Sequence, residues 1–239
     1  MKAIPRTVMT SFIVAALAAL AGCAGAPASS GSGLAAEAPE YRVGDRWTYH
    51  VDDGFRVKTE WDEVHEITAI GAEGITARIT LKGGMNVART ELWSAAGQVK
   101  VGAVYDNETR RFEVPLQGYD FPLAAGKTWN QWARNYNEFT KVTGDINRYV
   151  RVAGWEQVTT PAGSFEALKM QVLMRLDDET FWRWPTVCNY AVWYAPAARA
   201  VVRAELDAQY AEKDGGLEGG ATVRTQHGVL QLVSFAPGG

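Results

Sequence analysis

Cysteine is almost missing from this chain: Cys23 and Cys188 are the only two in 239 residues. A framework stapled by several disulfides is therefore excluded, as is a metal centre built from clustered thiolates. Histidine is nearly as scarce, with three copies. No Gly-x-Ser-x-Gly, His-Glu-x-x-His, Cys-x-x-Cys or phosphate-cradling glycine loop occurs, so no nucleophile stands beside a recognisable base. Basic runs are also lacking. None is longer than Arg110-Arg111, and 24 Lys and Arg against 27 Asp and Glu give a formal net charge of −3. That balance argues against a polyanionic partner such as nucleic acid and against gripping an anionic lipid surface by charge. Finally, no apolar stretch approaches the roughly 20 residues that a membrane-spanning helix needs.

What is present begins with an address. Lys2 and Arg6 precede the uncharged run Phe12 to Leu20, and small residues, Pro27 and a serine-glycine tract follow. This is the layout of a signal peptide. At its end, Leu20-Ala21-Gly22-Cys23 resembles the lipobox of bacterial lipoproteins, which implies cleavage after residue 22 and acylation of Cys23. Such proteins carry three acyl chains, and at about 0.8 kcal/mol per buried methylene several chains hold firmly. Ala24 follows the cysteine, and the resemblance then implies sorting to the outer membrane, facing the periplasm. Residues 23–40 read as a tether, poor in bulky apolar side chains and about 23 Å in mean span. Cys188, in TVCNYAVWY, reads as a small buried hydrophobe.

The remainder, residues 41–236, reads as one β domain. Ile75, Ala77, Ile79 and Leu81 alternate with polar residues at a period of two, as do Val99-Val101-Ala103-Tyr105, Leu168-Met170-Val172-Met174-Leu176 and Val202-Ala204-Leu206-Ala208-Tyr210. Turn signals lie between them at DDG 52–54, KGG 82–84, PAG 161–163 and DGG 214–216. Only Ala195 to Glu205 offers a helical alternative. Echoes run along the chain in order: Gly44-Asp45-Arg46-Trp47 with Gly126-Lys127-Thr128-Trp129, AEGITA 72–77 with AGSFEA 162–167, and LWSAAGQVK from Leu92 with VWYAPAARAVVR from Val192. These suggest two tandem β-meanders, in halves 41–119 and 120–236. The expected fold is all-β, a single strongly curved antiparallel sheet, open barrel or sandwich.

Val158 to Leu168, VTTPAGSFEAL, and Trp193 to Arg203, WYAPAARAVVR, together with FPLAAGKTW and YRVGDRWTY, resemble the TapB-like group of bacterial envelope lipoproteins. The resemblance touches most of residues 41–205 and implies a β-rich envelope fold without an established activity. The chain departs from the pattern at Arg199, where a glycine is expected.

Two stretches could carry chemistry. In TEWDEVHE, Thr59 to Glu66, a strand places Glu63 and His65 on one face with Trp61, and Asp62 and Glu66 on the other with Val64. A metal would need a further ligand such as His50 or His227; the expectation is instead a solvated face with cross-strand charge pairs and no metal, cofactor or catalytic residue. In WNQWARNYNEF, Trp129, Trp132 and Tyr136 stand among amide side chains, as a glycan-stacking surface would require, and Trp182 and Trp184 form a second aromatic cluster. The expected function is non-catalytic: binding of an apolar ligand or an envelope protein by an outer-membrane lipoprotein, with a peptidoglycan- or other glycan-binding or glycan-processing protein as the alternative.

Overall fold

Period-two alternation dictates the architecture. In Leu168 to Leu176, Leu168, Met170, Val172, Met174 and Leu176 are buried, while Lys169, Gln171, Leu173 and Arg175 face outward. A computed structural model of the chain describes residues 34–54, 59–83, 87–104, 108–177, 184–213 and 221–239. The signal segment, Cys23, the first part of the tether, Tyr105, Trp182 and the DGG turn lie outside the described residues. The strands are β1 (Arg46–Asp53), β2 (Thr59–Gly71), β3 (Gly74–Lys82), β4 (Ala88–Ala95), β5 (Gln98–Gly102), β6 (Arg110–Gln117), β7 (Thr128–Asn137), β8 (Thr143–Thr160), β9 (Gly163–Asp177), β10 (Thr186–Ala195), β11 (Ala200–Lys213) and β12 (Ala221–Ala236).

Each strand pairs antiparallel with its sequence neighbour, and β12 pairs back onto β1 from Arg46↔Ala236 to Asp53↔Gly228. The all-β, single-domain expectation holds, and the curvature goes all the way to a closed barrel. Among the described residues the only helical element is the short turn Pro196–Ala198, so Ala195 to Glu205 is mostly strand. Odd-numbered strands end and even-numbered strands begin at one end of the barrel; even-numbered strands end and odd-numbered strands begin at the other, where both described termini lie.

The inner wall holds two apolar clusters. One centres on Leu116, Ile146, Val150, Met170 and Met174, the other on Trp47, Ile67, Ile79, Val202 and Leu232. Cys188 is fully buried, between Met174 and Ala208 on the flanking strands. Outward positions carry charge, including Asp62, Arg78, Lys169 and Arg175. A membrane-spanning barrel has the opposite pattern, apolar outside and polar inside.

The Gly-x-x-Trp echoes occupy matching places. Gly44 N–H donates to the Ile67 carbonyl at 2.8 Å, Ile67 N–H to Asp45 O at 2.9 Å, and Asp45 N–H to Arg42 O at 3.0 Å. In the second half Gly126 donates to Val152 O at 2.8 Å, Val152 to Lys127 O at 2.9 Å, and Lys127 to Ala124 O at 3.0 Å. Both glycines hold positive φ, 91° and 84°, which only glycine adopts without steric cost. A register shift follows Ile67 in β2 and Val152 in β8, and Trp47 and Trp129 are both buried.

One ion pair ties the barrel's seam. Asp45 is fully buried; its carboxylate accepts from Arg199 Nη2 and from the backbone N–H groups of Arg42 and Gly238, each at 2.7 Å. Arg199 stands in the left-handed region, at φ 54° and ψ 23°, so the turn after Pro196 keeps the conformation a glycine there would favour. Its guanidinium also donates to Glu40 O at 2.7 Å and lies over the Phe235 ring. Asp45→Ala is expected to lower the unfolding free energy by about 3–5 kcal/mol, since it strips a buried charge pair of one member. Urea titration followed by circular dichroism measures this, with the native spectrum unchanged below the transition.

Candidate functional site

The barrel is not filled. Its interior holds a cavity of about 350 Å³ and an adjoining one of about 330 Å³, which share Arg89, Ala103, Val104, Tyr190, Ala204 and Leu230 in their walls. Both volumes fall in the range typical of small-molecule sites. The larger lobe is mostly aromatic and aliphatic, with Trp47, Tyr49, Trp93, Tyr119, Tyr194, Leu116 and Val192 among its lining. Strand alternation puts them there: Trp47, Tyr49 and Val51 are successive inward positions of β1, and Tyr190, Val192 and Tyr194 of β10.

Polar groups enter this lining in compensated sets. Glu63 Oε1 accepts from Trp61 Nε1 at 3.0 Å and its Oε2 lies 2.9 Å from His65 Nε2. Glu91 repeats the arrangement from β4, accepting from Trp93 Nε1 at 3.1 Å, Arg89 Nε at 2.9 Å and Ala103 N–H at 3.3 Å. Burial alone would raise the Glu63 carboxyl; the hydrogen bond and charge of His65, the Trp61 bond and the charge of Arg89 outweigh it and hold the carboxyl down, at about 2. Burial pushes the phenols of Tyr41, Tyr49, Tyr119 and Tyr194 up, so they are neutral donors at physiological pH.

Arg148 differs. It is an inward residue of β8, about nine-tenths buried, and its Nη1 donates to the backbone carbonyls of Gly118 at 2.7 Å and Gln117 at 3.4 Å. Among the described residues no carboxylate pairs with it. Burial pushes its pKa down from the usual arginine value, while Tyr119 and Tyr190 act in the opposite sense.

TEWDEVHE divides between the two faces. Trp61, Glu63 and His65 point into the barrel, and Glu63 is buried rather than solvated. Asp62 stays outside and meets His50 of β1 at 3.0 Å, the hydrogen bond that raises the His50 pKa. Ligand atoms of His50, Asp52 and Glu60 lie within 4.8 Å of one another on the barrel exterior, an exposed acidic group of a common kind. The WNQWARNYNEF stretch divides as well. Trp129 points inward, is buried, and donates from Nε1 to Gln117 O at 3.1 Å. Trp132 and Tyr136 point outward and are exposed, about 13 Å apart along the strand. Trp184 is exposed, and its backbone N–H donates to Ala211 O at 2.8 Å. Arg148 escapes a composition-based reading. Its signal is alternation: Ile146, Val150 and Val152 are the apolar inward neighbours between which the charge stands.

Neither a protein-family model nor a curated protein matches the chain. Among solved structures, an exported-protein candidate with a YmcC-like fold from Bacteroides fragilis aligns over 85% of this chain and 100% of its own, at 15% identity and a TM-score of 0.50. A lipoprotein candidate from Parabacteroides distasonis aligns over the same shares, 85% and 100%, at 12% identity and a TM-score of 0.49. At 15% identity, the likeness to the Bacteroides fragilis protein is one of fold.

The Glu63 carboxyl sits below its unfolded value of 4.5. Its contribution to stability is therefore complete above about pH 5 and disappears as pH falls toward 2. Over that interval wild-type protein is expected to lose roughly 3 kcal/mol more than Glu63→Gln, read from denaturant midpoints across an acid series.

Proposed function

We propose that this protein is a lipoprotein of the bacterial outer membrane, anchored through acylated Cys23 and facing the periplasm, whose barrel holds an apolar molecule without transforming it. The observation that carries this reading is the interior cavity walled by Trp47, Tyr49, Trp93, Leu116, Tyr119 and Val192. Apolar surface buried there contributes about 25 cal/mol per Å². The signal layout and the LAGC stretch supply the anchor, and the description of the Bacteroides fragilis protein as a candidate for export agrees with them.

The bonding of the cavity's acids supports reading the barrel as a holder rather than a catalyst. Glu63 is held ionised far below neutral pH, which takes it out of proton exchange there, and Glu91 already accepts from Arg89, Trp93 and the Ala103 N–H. The glycan reading has less support, because Trp129 faces inward while Trp132 and Tyr136 face outward. The exposed Trp132 and Tyr136 remain the natural contact for an envelope protein.

Cys23→Ser is expected to leave the precursor uncleaved at residue 22 and to abolish lipid-dependent membrane fractionation. Native mass spectrometry of the protein purified from its own membranes is expected to show a bound small molecule. Ala204→Trp, which fills the wall shared by both lobes, is expected to lose that mass. Wild-type protein free of any adduct would sink the reading.

A further inference from the structure

Three basic side chains line the larger cavity: His65, Arg89 and Arg148. His65 meets Glu63 and Arg89 meets Glu91. Arg148 meets two backbone carbonyls through Nη1, and among the described residues its Nε and Nη2 have no protein acceptor. Those two nitrogens form one edge of the guanidinium, the edge that grips a carboxylate with parallel hydrogen bonds. A buried cation is costly unless an anion compensates it.

We propose, building on the ligand-binding reading above, that the molecule held in the barrel is a long-chain carboxylate whose head group pairs with the free edge of Arg148. The hydroxyls of Tyr119 and Tyr194, which line the same lobe and have no hydrogen-bond partner in the protein among the described residues, supply further donors. The single positive charge matches a singly charged carboxylate; a phosphate monoester, with a second ionisation near 6, would leave excess negative charge beside Glu91. The aliphatic walls at Val99, Leu116 and Val192 take the start of the chain. The second lobe, reached past Ala204 and Leu230, takes its end; there Asp53 accepts from Gln226 Nε2 at 3.0 Å, so the head group belongs at the Arg148 end.

Photolabelling of the full-length lipidated protein in neutral detergent tests this, using a diazirine-bearing hexadecanoic acid and the matching alcohol. On wild-type protein the acid is expected to label the cavity strands roughly tenfold to a hundredfold more efficiently than the alcohol, the range given by hydrogen bonds to charged groups. Arg148→Met is expected to erase that preference, and Arg148→Lys to keep part of it. Equal labelling of wild-type protein by acid and alcohol overturns the carboxylate assignment and leaves an apolar ligand standing. Labelling by neither overturns the ligand-binding reading itself. Hexadecyl phosphate displacing the probe more strongly than hexadecanoate moves the head group to phosphate and likewise overturns the assignment. The wild-type comparisons hold whether or not the variants fold.

Discussion

The pairing of β1 with β12 is the constraint on which the rest depends. Every other strand meets its partner through a local connection, whereas this ladder joins residues at opposite ends of the domain. An open sheet would leave two rows of unpaired N–H and C=O groups in water, a template for association with other chains. Closure removes both edges, and Asp45 secures it from within: one buried carboxylate collects donors from the start of the barrel, the β10–β11 turn and the C-terminal segment. Arg199 takes a left-handed conformation that a non-glycine residue adopts at some cost. That position places its guanidinium beside Asp45.

Closure with this many strands has a geometric consequence. Barrel diameter grows with strand number, and about eight strands already give an interior that side chains just fill. Twelve leave more room than aliphatic residues can occupy. The chain fills part of it with Trp47, Trp129, Tyr49 and their neighbours, and the rest is cavity. A cavity here follows from the architecture, while its chemistry is set residue by residue on the inward positions.

Much of this was legible in the sequence because alternation is a local signal. The fully buried series of β9 was readable residue by residue, the β3 and β11 series in their inward faces, and the Gly44 and Gly126 turns stood out through their Gly-x-x-Trp echo. Closure was not legible. Nothing local distinguishes β1 and β12 as partners rather than free edges, since their pairing is decided by accumulated curvature. Face was only half legible: alternation correctly grouped Trp61, Glu63 and His65, yet polarity suggested water where the barrel put its interior. Indole and imidazole donors at the flanking inward positions of the same strand, Trp61 and His65, make that burial tolerable.

Trp129 and Arg148 illustrate how a residue suggestive of ligand stacking serves a site it does not touch. Trp129 Nε1 and Arg148 Nη1 both donate to the Gln117 carbonyl, at 3.1 and 3.4 Å, and Arg148 donates again to Gly118. Gln117 is held in turn by its backbone N–H bond to Gln131 Oε1 at 2.7 Å. Gln117 is thus fixed from β7 by two contacts, and its carbonyl and that of Gly118 orient the guanidinium. A side chain after Gln117 would crowd this arrangement, because a Cβ on Gly118 would lie 3.2 Å from the Gly97 carbonyl. The indole therefore belongs to the support of the cation: it fixes the backbone that leaves one edge of Arg148 facing an apolar cavity.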